Sequence, residues 1–310
     1  MKKTESNFEY FVYFIFPLLI LFFGLIGNLI GLMTIKKRAK KLEETGATLI
    51  YELIFIVDTI FLCTIINHYC VNAFSIGITL LTNWDCKLFN YSLSYSFSTV
   101  STLLLIYILI ERFLSIKYPV ESNILRNKKT QLIYFLFILI LNHIYYFPIL
   151  FSYHLIPGYY SNNTYFRPSC TYYENYNKTV SILLFFGRFF FPLLLIFTFT
   201  ILLVSSYYKS NSRMSTFYTD KERKMFKKDV HISIMSIFYN IIQFSFNLPV
   251  NLLYFGYKQN ATLLLFSFYI FYLSYAFNFY FILTSSSLFR REFISMFKKK
   301  TFENEIIEMI

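Results

Sequence analysis

The sequence predicts an all-α membrane protein, a seven-transmembrane helix bundle with a short amphipathic helix after the seventh span. Three observations carry that prediction. Hydrophobic residues make up 56% of the 310 residues and charged ones only 15%, where a soluble chain would be about a quarter charged; the mean hydropathy is +0.49. Apolar runs recur that are long enough, at about 1.5 Å per residue, to cross a hydrocarbon core of about 30 Å. Most of the 29 basic residues fall in loops on one side of that reading, within Lys36–Lys41, Arg112–Lys129, Lys209–Lys228 and Arg290–Lys300. Such a bias marks cytoplasmic loops, so the net charge of +12 is a topology signal and not a nucleic-acid footprint. The 22% aromatic share reads mostly as compositional bias, with some aromatic residues at the two interfaces.

In chain order, residues 1–10 are a short polar extracellular N-terminus. Phe11–Ile35 is the first span, too long for a signal-peptide core and without a small-residue cleavage site. Spans follow at about 48–72, 87–111, 131–151, 181–207, 230–254 and 262–286, so the transmembrane domain covers 11–286; Asn142, His143 and Pro148 interrupt the fourth span. Seven spans with the basic loops inside leave the N-terminus outside and the C-terminus cytoplasmic. In 287–297 (SLFRREFISMF), Leu288, Phe289, Phe293, Met296 and Phe297 share one face and Arg290 and Arg291 lie off it. That pattern suits a helix lying on the lipids of the inner leaflet; 298–310 form a cytoplasmic tail.

The third span is the centre of the bundle. It has no charge from Leu88 to Ile110, and Ser94, Ser98, Ser101, Leu105, Ile108 and Arg112 follow helical steps of four and three along one face. A polar stripe ending in Arg must face other helices or water. The outer loops carry the sequons Asn162-Asn163-Thr164, Asn177-Lys178-Thr179 and Asn260-Ala261-Thr262, which makes Asn162, Asn177 and Asn260 candidate glycosylation sites. Cys63 and Cys70 lie on one apolar helix and read as buried thiols. Cys86 and Cys170 lie at the outer surface, where oxidation is favoured, and a Cys86–Cys170 disulfide would pin the long outer loop 152–180 to the top of the third span.

Seven spans, an outer Cys pair and Glu111-Arg112-Phe113 at the inner end of the third span resemble the rhodopsin-like (class A) G-protein-coupled receptors. Glu111-Arg112-Phe113 with Ile116 and Pro119 matches the family's DRY-xx-I-xx-P stretch in register. Gly27-Asn28, Asp58, Pro192 and Pro249 fit its landmarks in the first, second, fifth and sixth spans. Asn278, followed eleven residues later by Phe289-Arg290, fits the seventh span and the helix after it. The departures are specific. The CWxP motif reads Phe246-Asn247-Leu248-Pro249, without the Trp. NPxxY reads Asn278-Phe279-Tyr280-Phe281-Ile282, without the Pro and Tyr. The fourth-span Trp and fifth-span Tyr are absent, and Cys86 to Arg112 is one residue longer than the family spacing. The Asn-Leu-Pro and the Phe after Asn278 are similar to some invertebrate neuropeptide receptors of the FMRFamide-receptor type.

The resemblance implies a chemistry for the polar residues. Asp58 is costly in mid-membrane unless partnered, and Asn28, Ser101 and Asn278 are polar residues at comparable depth. By resemblance they form an allosteric sodium site, oxygen ligands suiting a hard cation; the alternative is a protonated Asp58 hydrogen-bonded to the same groups. Arg112 would be held by Glu111 and, from the sixth helix, by Asp229, 20 residues before Pro249. Opening that clasp would admit a helix of a heterotrimeric G protein. Arg188 and Asn247 are the candidate ligand contacts in the outer half; a guanidinium there calls for an anion such as Glu174 or a ligand group, or else reaches out to the surface. No His/Cys metal spacing, phosphate loop or nucleophile–base pair is apparent, so neither an enzyme nor a cofactor beyond sodium is implied. The reading is a plasma-membrane receptor for an extracellular peptide or small molecule. Its rivals are a chemosensory or non-signalling receptor-like protein and, further off, a seven-span transporter or channel, which would show paired intramembrane charges and repeated halves.

Overall fold

The computed structural model describes residues 7–39, 48–74, 94–118, 122–156, 159–161, 164–166, 169–172, 177–217, 234, 236–252, 261–285 and 287–297. The chain is an all-α bundle of seven helices with an eighth across one end. Helix α1 joins Asn7–Tyr10, a π-helical turn Phe11–Ile15 and Phe16–Ala39. Helices α2 (Thr48–Phe74), α3 (Phe97–Lys117) and α4 (Lys128–Ser152) follow. Helix α5 joins Asn177–Phe185, a second π-helical turn Phe186–Phe190 and Phe191–Phe217. Helix α6 covers 236–252. Helix α7 is bent, Ala261–Ala276 then Asn278–Ser285, and α8 is Ser287–Phe297. Among the described residues four helices are long and apolar enough to cross a membrane, or five with the bent α7 counted as one span.

These two π-helical turns lie just ahead of a Phe-Pro step, Phe16-Pro17 and Phe191-Pro192; residues 94–96 are also π-helical, with no proline near. A proline lacks the N–H that its i−4 carbonyl needs, and at these two prolines the ladder is shifted by one residue just upstream. Phe16 N–H then bonds Phe11 O, and Phe191 N–H bonds Phe186 O, the wide register of a π-bulge. Pro148 lies inside α4, which nonetheless runs unbroken. Asn142 and His143, which interrupt the apolar run in the sequence, face α3. Asn142 Nδ2 donates to Ser96 O at 2.9 Å and Ser96 Oγ at 2.7 Å, and His143 Nδ1 lies 3.2 Å from Ser96 Oγ.

Helix α3 is the most enclosed span, and Ser94, Ser98, Ser101, Leu105, Ile108 and Arg112 are all buried. Helix α1 packs on α2 and α7, and its glycines set the spacing. A Cβ on Gly24 would stand 2.6 Å from Leu62 Cδ1 and 2.8 Å from Ala276 Cβ; one on Gly31 would meet the Phe55 ring at 2.6 Å. Small residues at helix crossings are what brings membrane helices close. Two expectations need correction. Cys63 is exposed, on the outside of the bundle: in a membrane protein apolar residues cover the lipid face too, so an apolar helix does not imply a buried thiol. The loop after α4 also contains strands. β1 (Tyr153–Ile156) pairs antiparallel with β4 (Ser169–Tyr172), and β2 (Tyr159–Ser161) with β3 (Thr164–Phe166), which sets Leu155 opposite Cys170. Helix α8 packs beneath α1 and α7: Phe289 and Phe293 meet the Phe279 ring at 6.0 and 5.8 Å, and Lys37 Nζ donates to Ser295 O at 3.3 Å.

The α1 crossing is open to a direct check. Gly24→Ala should destabilise the bundle by about 1–3 kcal/mol, because Leu62 can rotate away but the Ala276 backbone, 3.1 Å from the new Cβ, cannot. Thermal unfolding of the purified protein in detergent would show it, and an unchanged midpoint would mean that α1 packs more loosely than described.

Candidate functional site

Two polar clusters lie along α3. The first is at mid-depth, where Asp58 on α2 is fully buried. Ser101 Oγ donates to Asp58 Oδ1 at 2.5 Å, and Asn278 Nδ2 donates to Asp58 Oδ2. Three helices meet there, since Ser101 is on α3 and Asn278 opens the second half of α7. The bend that delivers Asn278 measures 43° and has no proline. One turn earlier, Ser274 Oγ donates to Phe271 O at 2.7 Å, a back-bond of the kind that loosens and bends helices. The ladder resumes across the break through Phe277 N–H to Leu273 O and Phe281 N–H to Phe277 O.

Of the four residues expected together, Asp58, Ser101 and Asn278 are hydrogen-bonded. Asn28 is fully buried on α1, and among the described residues neither of its amide atoms is hydrogen-bonded; Asn278 Oδ1 is likewise a buried acceptor without a partner among them. A carboxylate beside a spare amide oxygen is a donor set that fits a hard cation. The sequence reading missed Tyr239. This α6 residue is buried, its ring is 4.7 Å from that of Phe281, and its hydroxyl, without a hydrogen bond among the described residues, lies within electrostatic range of Asp58. Only knowledge of which α6 face points inward would have found it.

The second cluster closes the C-terminal end of α3. Glu111 Oε2 is 3.1 Å from Arg112 Nε, an ion pair between neighbours in sequence, and both side chains are buried. Glu111 has a second arginine. The one-turn helix Ser122–Arg126 brings Arg126 Nε to Glu111 Oε1 at 2.9 Å, and Arg126 Nη2 donates to Ser115 Oγ at 2.9 Å. Tyr107 OH fastens that turn by donating to Leu125 O at 2.7 Å. In the sequence Arg126 reads only as a topology charge. Phe113 is buried, its ring 6.2 Å from Phe199 on α5. Asp229, Cys86, Asn162 and Asn260 lie outside the described residues, as do the side chains of Cys170 and Asn177.

Toward the other end, Arg188 is buried and turned into the bundle. Its guanidinium carbon lies 3.6 Å from the centre of the Phe271 ring on α7 and 5.3 Å from that of Tyr95 just ahead of α3. The outward-reaching alternative is therefore not the one adopted. On α6 the buried amides bond their own helix: Asn240 Nδ2 to Ser236 O at 2.8 Å, Asn247 Nδ2 to Gln243 O at 2.7 Å and Asn251 Nδ2 to Asn247 O at 2.7 Å. Gln243 Nε2 reaches α3, to Thr102 Oγ1 at 3.4 Å.

A seven-helix membrane bundle with a buried acid at mid-depth and a Glu-Arg pair closing its central helix is a receptor architecture. The family model for the 7 transmembrane receptor (rhodopsin family) matches residues 27–284, and the chain belongs to that family. It is a multi-pass membrane protein of the receptor class. No curated protein matches it.

The Asp58 cluster predicts a coupled response. Ser101→Ala and Asn278→Ala should each cost about 1–3 kcal/mol, because each leaves a buried carboxylate oxygen short of a donor. The double variant should depart from the sum of the two by about 0.5 kcal/mol or more, and additive melting shifts would mean that the two donors act independently.

Proposed function

We propose that the chain is a plasma-membrane receptor, N-terminus outside, that couples an extracellular ligand to activation of a heterotrimeric G protein. The observation that supports this most is the Glu111–Arg112 ion pair, buried where the central helix ends, beneath a polar core that joins α2, α3 and α7. A ligand that favours one arrangement of the helices shifts the population toward it, and release of Arg112 would open a groove for a helix of the G protein. In this reading Glu111, Arg112, Phe113 and Asp229 form the switch, and the ligand is a peptide that reaches Arg188 and Asn247 from outside. A Cys86–Cys170 disulfide would hold the strand-bearing loop over the entrance, and Asn162, Asn177 and Asn260 would carry glycans. Asp58, with Ser101, Asn278 and Asn28, would hold a sodium ion that stabilises the resting arrangement.

G-protein activation in cells expressing the wild type or Arg112→Ala, exposed to a panel of neuropeptides, tests the switch. A ligand-dependent signal should vanish in Arg112→Ala at equal surface expression; a signal that survives the substitution would sink the mechanism. The ion is tested separately. Replacing sodium with choline should lower the unfolding temperature of the wild type and leave that of Asp58→Asn unmoved, whereas equal shifts in both proteins would exclude Asp58 as the ligand.

A further inference from the structure

Arg188 is a buried cation for which the described residues supply no carboxylate; Glu174, the anion named from the sequence, lies outside them. The residue lies in the π-helical turn Phe186–Phe190, four positions before Pro192. Its side chain points inward, and only 9% of the residue remains exposed. Gly187 lets the turn sit tightly on α4, since a Cβ there would stand 2.4 Å from the Tyr145 ring. The guanidinium rests on the Phe271 face, with Tyr95 beyond it. The phenols of Tyr146, Tyr272 and Tyr275 lie within electrostatic reach. Each of them is otherwise engaged: Tyr146 OH with Thr99 Oγ1 at 2.9 Å, Tyr272 OH with Thr64 Oγ1 at 3.3 Å, and Tyr275 OH donating to Ser98 O at 3.2 Å.

No carboxylate answers this cation among the described residues. Asp58 is taken by Ser101 and Asn278, and Glu111 by Arg112 and Arg126. Arg188 Nε is buried without a hydrogen-bond partner among the described residues. Ring faces offset part of the cost of desolvating a guanidinium, but an unpaired buried charge remains expensive. We propose that Arg188, cradled by Phe271 and Tyr95, is the anchor for a carboxylate on the ligand. This rests on the reading of the chain as a receptor and names the chemical class of the group its ligand presents to Arg188. Nε and one terminal nitrogen of the guanidinium form a two-donor edge that matches the two oxygens of a carboxylate. The charge also matches. One cation balances a monoanion, whereas a phosphate dianion would leave surplus negative charge against the electron-rich ring faces. The surrounding aromatic walls favour a carboxylate carried on an apolar or aromatic body.

The test uses the full-length protein in lipid nanodiscs, with thermal unfolding as the readout. 3-Phenylpropionate is the probe, with 3-phenylpropionamide and phenethyl phosphate as the neutral and dianionic controls, on the wild type and on Arg188→Met. The carboxylate at a hundredfold excess over its Kd should raise the wild-type midpoint by roughly 5 °C. Neither control should do so, and Arg188→Met should respond to none of the three. Without any probe, Arg188→Met should melt at or above the wild type, because it removes an uncompensated charge at similar volume. The proposal is overturned by a wild type indifferent to the carboxylate, by an equal shift from the amide or a larger one from the phosphate, or by a shift that persists in Arg188→Met. It is equally overturned if Arg188→Met melts well below the wild type without probe, since the guanidinium would then have its partner inside the protein. Because unfolding needs no G protein, these outcomes are independent of the receptor reading. A chain that binds the carboxylate and never activates a G protein would lose that reading and keep the anion site.

Discussion

Asp58 is fully buried in mid-bundle, and a carboxylate there is tolerated only if donors from other helices converge on it. Two do, Ser101 from α3 and Asn278 from α7, and this requirement sets the relative depth of three helices at once. It also explains why α7 must bend. Asn278 is the first residue after the break, and the 43° turn at Phe277 orients the second half of α7 so that this amide faces α2. The family's usual means of breaking the helix, a proline one residue later, is missing from the sequence. Ser274, back-bonded to Phe271 O, loosens the ladder one turn earlier instead. The glycine face of α1 closes the arrangement from outside, since the contacts at Gly24 involve both α2 and α7.

The parts of this structure legible in the sequence are those where the membrane enforces a rule. Six positions from Ser94 to Arg112 were read as one inward face from their spacing alone, and all six are buried. A polar stripe in lipid has nowhere else to go. The Asp58 cluster was likewise legible through three of its members, because a buried acid demands partners. The exposed Cys63 was misread for the opposite reason: Leu18, Phe22 and Ile140 lie exposed on lipid-facing surfaces, and no pattern of apolarity separates that surface from the interior. The strands after α4 were hidden by the aromatic bias, which makes a β-rich stretch such as Tyr153–Ile156 look like the rest of the chain. Arg126 was invisible because its partner lies 15 residues away around a turn; a positive charge expected on topological grounds attracts no second explanation.

Arg188 shows the limit more sharply. Its sequence context offered an anion or an escape to the surface, and the side chain took a third course onto the face of Phe271. With 40 Phe and 28 Tyr in the chain, no sequence argument could name the ring. The inward turn coincides with a local feature of the backbone. A π-helical turn precedes Pro192 as one precedes Pro17, whereas the Phe147-Pro148 step lies within an unbroken α4. The same backbone defect is structural in α1 and aims a charge into the interior in α5.

The residues that the family uses on its sixth helix are replaced here by a different physical solution. Asn240, Gln243, Asn247 and Asn251 put buried amides along α6, a composition that would ordinarily lock a membrane helix to its neighbours. Three of the four donate to the carbonyl one turn back on α6 itself. Gln243 donates to α3, to Thr102 at 3.4 Å, near the outer limit of a hydrogen bond. Most of the amide donors of α6 are therefore satisfied within the helix itself. A shift of α6 against α3 would disturb one weak contact of these four and leave the other three intact. In the mechanism proposed for this chain, which lacks the bulky sixth-helix tryptophan, amide donors satisfied within α6 would lower the cost of moving that helix, while Asn240 Oδ1 and Tyr239 OH are left without partners among the described residues.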